Sequence, residues 1–373
     1  LSPHTWFSGV PAARLDGAAG AFAPPARRLG CARTTDGSGA AMQHRQTFPN
    51  LLIVAQAGRL EFEALIFMAS LRASAPGWSG RVILAEPSPE GAWQDHRTQI
   101  SEGCRDLLTQ MGAEITPFTA RHFGAAYPQG NKIEALALLP ENEPFIFFDT
   151  DTLITGPLDQ VRFDFARPSG SMRREATWPQ PPLYGPGYGG IWKSIYDRFG
   201  QDFETSLDLT QPDEHWERYL YFNAGWFFGP DPGEFGRRFL GWARALRDDP
   251  HDALACQAME PWLDQAVLPV VIHSLGGGRP GPELDGLDGA VTCHYRRLPL
   301  LYAQQGDHAI EVLERVVAPK EIKRLLREWE PARKLIYQEK GRSKVRPIFA
   351  GHGGPLPERQ IRHQLKSRGW WLV

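Results

Sequence analysis

The sequence predicts an α/β protein, a Rossmann-like and mostly parallel sheet flanked by helices, with a helical C-terminal extension. Three observations carry this. From residue 51 onward, short apolar runs alternate with stretches of helical periodicity; the run 145–148 (Phe-Ile-Phe-Phe) is apolar at every position; and the chain beyond residue 306 is helical in pattern and rich in charge. Strands without polar alternation are those buried on both faces, as in parallel sheets covered by crossover helices.

The elements follow in order. Residues 51–55 form a first strand and 60–73 a helix; 81–85 form a second strand and 97–111 a helix; 113–117 form a third strand. Residues 131–139 read as a helix with Ile133, Leu136 and Leu139 on one side, leading into the fourth strand at 144–148. The segment 181–190 is dense in Pro, Gly and Tyr and reads as an irregular loop. Around it lie Trp178, Tyr184, Tyr188, Trp192 and Tyr196, which anchor the loop by packing or offer sugar a stacking surface. Next come 221–225 as an aromatic strand, helices over 232–247 and 253–266, and short strands near Val270 and Val291. Residues 308–340 are helical and charged, and 357–368 form a last basic helix.

Residues 1–45 stand apart: rich in Ala, Gly, Pro and Arg, without periodicity, and too poor in large aliphatics for a packed core. They are expected to be a disordered or non-native extension, with Met42 a candidate biological start. Residues 46–305 then form the catalytic part and 306–373 a helical extension.

Composition narrows the class of function. A chain of 373 residues with 42% hydrophobic and 23% charged residues fits an ordinary enzyme. Net charge of −2 gives no global field for nucleic acid, so no nucleic-acid partner is expected. No apolar run approaches the roughly 20 residues of a membrane helix. Cys31, Cys104, Cys256 and Cys293 are scattered, without a C-x-x-C pair, and read as small buried hydrophobes in a reducing cytoplasm. Lys and Arg near Trp370 and Trp371 make the C-terminal helix a cover for the sheet edge or a peripheral membrane contact.

The chemistry concentrates in Phe147-Phe148-Asp149-Thr150-Asp151-Thr152. In an extended chain, residues two apart project to the same side, so Asp149 and Asp151 aim into one crevice at the carboxyl end of a buried strand. Carboxylates held that close repel unless a cation lies between them, and hard oxygen ligands favour Mg²⁺ or Mn²⁺.

The run G-N-K-I-E-A-L, followed by F-F-D-T-D-T-L-I-T-G-P-L, resembles the donor-site segment of GT-A fold glycosyltransferases, particularly the family-8-like group. Three later segments agree in order: Tyr221-Phe-Asn-Ala-Gly-Trp-Phe resembles the group's F-N-(A/S)-G strand, Trp262-Leu-Asp-Gln265 its D-Q turn, and Val291-Thr-Cys-His-Tyr295 the strand bearing a metal-ligating His. The similarity spans roughly residues 50–300. It implies a metal-dependent transferase for a nucleoside-diphosphate sugar, a UDP-sugar foremost, with Mn²⁺ or Mg²⁺ on Asp149, Asp151 and His294. It implies donor contacts from Ala55, Gln56 and Ala57 at the end of the first strand and from Asn131, Lys132, Asp149 and Thr150. Asn223, Asp264 and Gln265 would surround the transferred sugar, which moves with retention to a saccharide, lipid-linked or protein acceptor. In an inverting relative, Asp264 would instead be the base.

The family-8 ending H-x-x-G-x-x-K-P-W is absent, since His294 is followed by Tyr295, Arg296 and Arg297. Either arginine could supply the missing positive charge, and the Gly-flanked His352 rivals His294 as third ligand. Two other enzymes share parts of the pattern. A haloacid-dehalogenase-type phosphohydrolase closes its first strand with D-x-D and wants Thr or Val where Leu153 stands, and a sugar nucleotidyltransferase wants a basic Gly-rich loop where Ala55-Gln-Ala-Gly58 stands. A catalytically inactive nucleotide-binding descendant is the non-enzymatic alternative.

Overall fold

The computed structural model describes residues 48–174, 178–351 and 356–372. The expectations for residues 1–45, Met42, Cys31 and His352 lie outside the described residues.

Among the described residues there are eight strands: β1 Asn50–Val54, β2 Val82–Pro87, β3 Glu114–Phe118, β4 Phe145–Phe148, β5 Thr152–Ile154, β6 Ser169–Gly170, β7 Trp226–Gly229 and β8 Thr292–His294. Six form the main sheet in the order β3-β2-β1-β4-β7-β6. The first four of that order run parallel, and β7 and β6 continue it antiparallel. Strand alternation divides the core in two. Leu51, Ile53, Ile146 and Phe148 face one side, with helix Arg59–Ser74 and the C-terminal helices. Leu52, Val54, Phe145 and Phe147 face the other, with helices Pro232–Asp248 and Leu263–Ser274. Each fully buried Leu or Phe contributes about 1.5–3 kcal/mol, which is why both faces must be covered. The mostly parallel α/β class expected from the sequence is the class observed.

Two local structures position the site. Gly58 has φ +91°, a conformation L side chains rarely adopt, and turns the chain from β1 directly into helix Arg59–Ser74. The Gly58 N–H donates to Glu61 Oε1 at 2.9 Å, closing the first turn. The small sheet of β5 and β8 pairs Thr152 with His294. It sits immediately after the acidic triplet, and Tyr295 N–H donates to the Asp151 carbonyl at 3.0 Å.

Several elements differ from expectation. The second helix is confined to Glu102–Gln110, because the Ala57, Ile100 and Ser101 amides anchor the preceding segment to Thr98 O and to Glu86 and Glu61. The helix expected over 253–266 and the strand near Val270 are instead a short turn at Asp252–Leu254 and one helix, Leu263–Ser274, with Pro269 inside it. That helix is buried nearly all round, so its apolar run shows no periodicity to separate it from a strand. The 221–225 segment is irregular, and the strand begins at Trp226. Trp178, Trp192 and Tyr196 are core residues, whereas Tyr184 is 97% exposed. Cys104 and Cys293 are buried as read, but Cys256 is exposed. Among the described residues, no helix is long and apolar enough to cross a membrane.

Candidate active site

The triplet bends between β4 and β5 at the carboxyl edge of the sheet. Asp149 N–H donates to Gly225 O at 2.8 Å, continuing the β4–β7 pairing by one residue. Thr150 turns inward and its hydroxyl donates to Val54 O, so the two flanking carboxylates emerge together on the open side. His294 arrives from β8 with Nε2 3.1 Å from Asp151 Oδ1 and 3.7 Å from Asp149 Oδ2. Ligand atoms of Asp149, Asp151 and His294 all lie within 4.8 Å of one another. Gly225 makes this approach sterically open, since a Cβ there would run into His294 Nδ1 and lie 2.9 Å from Asn223 Oδ1.

One buried cation, Lys132, and one partly exposed cation, Arg59, hold the carboxylates. Lys132 Nζ lies 2.8 Å from Asp149 Oδ1 and 3.3 Å from Asp264 Oδ2, and donates to Ala224 O at 3.0 Å. Arg59 Nη1 lies 3.0 Å from Asp151 Oδ2 and donates to Glu63 Oε1 at 2.9 Å and Arg296 O at 3.1 Å. The two carbonyls belong to Ala224, φ +56°, and Arg296, φ +58°, both left-handed though neither is glycine. Such backbone is strained, and here it turns a carbonyl onto each cation.

The charge states follow. Burial works against ionising Asp149 and outweighs Lys132, so its carboxyl sits above the usual range. Burial also opposes ionisation of Asp151, but His294 and Arg59 overcome it and hold Asp151 below that range. His294 moves up despite burial, because Asp151 faces it. Lys132 likewise moves up against burial, driven by Asp149 and Asp264. Burial pushes Glu63 far toward its neutral form.

The residues present fit a divalent cation: two carboxylates and an imidazole, which binds metal in its neutral form, bring three ligand atoms within 4.8 Å of one another.

These groups open into a cavity of about 860 Å³. Gln56, Asn131, Lys132, Asp149, Thr150, Asp151, Asn223, Asp264, Gln265 and His294 all reach its wall; of the candidate residues, Ala55 and Ala57 do not. Ala55 is buried and its N–H donates to Ala85 O at 3.0 Å, and Ala57 N–H donates to Thr98 O at 2.8 Å. Asn131 Oδ1 accepts from Trp93 Nε1 at 2.9 Å. Asp264 and Gln265 begin a helix rather than follow one. Asp264 Oδ1 accepts from Tyr127 Oη at 2.8 Å, and Gln265 Oε1 accepts from the Tyr221 hydroxyl. Tyr221 is backed by the Arg174 guanidinium, 4.3 Å from its ring. Asn223 bridges locally, accepting from Gly225 N–H at 2.8 Å and donating to Arg173 O at 2.6 Å.

Residues 51–276 match the family described as Rhodobacterales glycosyltransferase domain, more than half of the chain and the whole segment bearing β1, the acidic triplet and Asp264. The chain belongs to this family. Glycosyl transfer is thus the reaction class of the enzyme, which sets aside the phosphohydrolase and nucleotidyltransferase readings. No curated protein matches this glycosyltransferase. Solved structures similar to it include the galactosyltransferase LgtC in complex with donor and acceptor sugar analogs (14% identity, TM-score 0.35, covering 60% of this chain and 70% of that one). Another is the glycosyltransferase GlyE of Streptococcus pneumoniae TIGR4 (11% identity, TM-score 0.40, covering 79% and 64%). At these values neither bears on the enzyme's substrate or mechanism.

Two parts of this glycosyltransferase's cavity carry little signal in the sequence. Arg59 was hidden as an ordinary first-turn arginine, though its Arg59/Glu63 spacing was a visible i,i+4 pair. The last helix, Glu358–Ser367, lines the cavity with Arg359, Arg362, His363 and Lys366. Its basic face was legible, but not what it faces.

Proposed function

We propose that this glycosyltransferase draws its sugar from a nucleoside-diphosphate donor, a UDP-sugar foremost, with Mn²⁺ or Mg²⁺ held by Asp149, Asp151 and His294. The observation carrying this reading is the convergence of those three side chains on one cavity wall. When bound, the ion would offset the charge of a departing diphosphate.

The chain's own residues do the rest. Arg59 and Lys132 fix the two aspartates from behind, leaving Asp149 Oδ2 and Asp151 Oδ1 directed at His294. Gln56, on the cavity wall two residues past β1, faces the base and ribose. Gln265, its Oε1 taken by Tyr221, presents its amide N–H₂ to the sugar. Asp264 is poorly suited to be an inverting base, because Tyr127 and Lys132 occupy its two oxygens and its side chain is 2% exposed. We therefore favour retention. Residues 46–305 form the catalytic part, the C-terminal helices reach back to its site, and the reaction takes place in the cytoplasm.

One observation favours a second reading: each aspartate already has a cationic partner, Lys132 or Arg59, so transfer could proceed without metal. The test is thermal stabilisation by a panel of nucleotide sugars, with Mn²⁺ and with chelator, on the wild type and Asp151→Ala. Stabilisation by one donor that needs metal and vanishes in the variant supports the proposal. Equal stabilisation in chelator supports the metal-free reading, and no response to any donor contradicts both.

A further inference from the structure

We propose that helix Glu358–Ser367 forms an acceptor subsite for a phosphate-bearing group, on the cavity wall that complements the acidic one. This rests on the donor reading above. Arg359, Arg362, His363 and Lys366 follow one another at i, i+3, i+4 and i+7, so they share one helical face. Ile361 and Leu365 are buried on the opposite side and fix which face looks out. All four basic residues line the cavity that holds Asp149 and Asp151.

The helix is pinned in place rather than merely near. Glu358, its first residue, is buried and paired with both Arg296 and Arg362, and Arg296 stands two residues beyond His294. Arg362 also lies over the Trp371 ring at 5.0 Å. Among the described residues, Arg359, His363 and Lys366 have no ion-pair partner. Seven residues of helix extend the row over roughly 10 Å, longer than a single phosphate group needs. The donor diphosphate would already have the cation of the acidic site beside it, so the positive charge of this row serves a second anion. Arginine and lysine recognise phosphate through charge-assisted hydrogen bonds.

The experiment titrates inorganic phosphate, followed by ³¹P NMR at low ionic strength, into the full chain with and without saturating UDP and Mg²⁺. It is repeated on Arg359→Gln/His363→Gln/Lys366→Gln, whose sites are exposed side chains. The expected result is saturable phosphate binding to the nucleotide-loaded chain, weakened about tenfold or more in the triple variant and by added salt, with UDP affinity changed less than about threefold. Phosphate binding that is absent, or unchanged by the substitutions, overturns the subsite. Loss of UDP affinity together with exclusion of phosphate by UDP assigns the row to the donor and overturns it as well. So does variant-sensitive binding to phosphatidylglycerol vesicles without saturable phosphate binding. Failure of UDP to bind at all defeats the donor reading instead, and the nucleotide-free titration still reports on the row.

Discussion

Lys132 ties Asp149 to Asp264: its ammonium lies 2.8 Å from one carboxylate and 3.3 Å from the other, and its third partner is the Ala224 carbonyl. With the side chain 8% exposed, its hydrogens are committed inside the protein. Lys132 thus joins the metal-ligand candidate Asp149 to the first turn of helix Leu263–Ser274. Lys132→Met leaves the buried carboxylate of Asp264 and the partly exposed one of Asp149 without their cation, and removing one partner of a buried ion pair costs about 3–5 kcal/mol. Urea unfolding should show a loss of that size, whereas a change under about 1 kcal/mol would mean the ammonium is dispensable.

Asn131 is buried, and its Oδ1 is used by Trp93. Asn131→Ala strands the indole N–H, so stability should fall by about 1–3 kcal/mol. Any effect on the KM for donor should be secondary. A variant of unchanged stability with a raised KM would return Asn131 to the role of direct donor contact.

Gly225→Ala places a methyl group against His294 Nδ1. The ring must move, and the metal-dependent thermal stabilisation by donor should drop sharply while the apo protein still melts cooperatively. Unchanged stabilisation would show that His294 has room to yield.

The carboxylate of Asp231 caps helix Pro232–Asp248, accepting from Gly233 N–H at 2.9 Å and Glu234 N–H at 3.2 Å, and it also takes Asn142 N–H at 2.9 Å. Partial burial opposes ionisation, but these amides outweigh it and hold the carboxyl below its ordinary value. A depressed folded-state pKa gives stability that is complete above the unfolded value, near about 3.9, and is lost as pH falls through the folded one. Asp231→Ala should therefore cost about 1 kcal/mol near neutrality, and the variant's stability should converge on the wild type's in acid. A gap that persists in acid would locate the effect elsewhere.

What the sequence could and could not reveal divides along the range of the interactions. Residues 145–148 announce a buried strand by composition alone, and the acidic triplet beyond them sits where the sheet ends. The convergence of His294 was legible only through motif order, because it depends on β5 pairing with β8 across 142 positions (Thr152 to His294). The contact of Arg59 with Asp151 spans 92 positions and left no local signal. Helix Leu263–Ser274 was misplaced because burial on every side erases periodicity. The basic face of Glu358–Ser367 was visible as a face, but a helical pattern does not specify what the face meets.

The most direct test of the account is calorimetric titration of Mn²⁺ into the UDP-loaded chain and into Asp151→Asn and His294→Ala. The wild type should take up about one ion per chain, with affinity falling at least about tenfold in each variant. Equal UDP binding in chelator, with no Mn²⁺ uptake by the wild type, would contradict it.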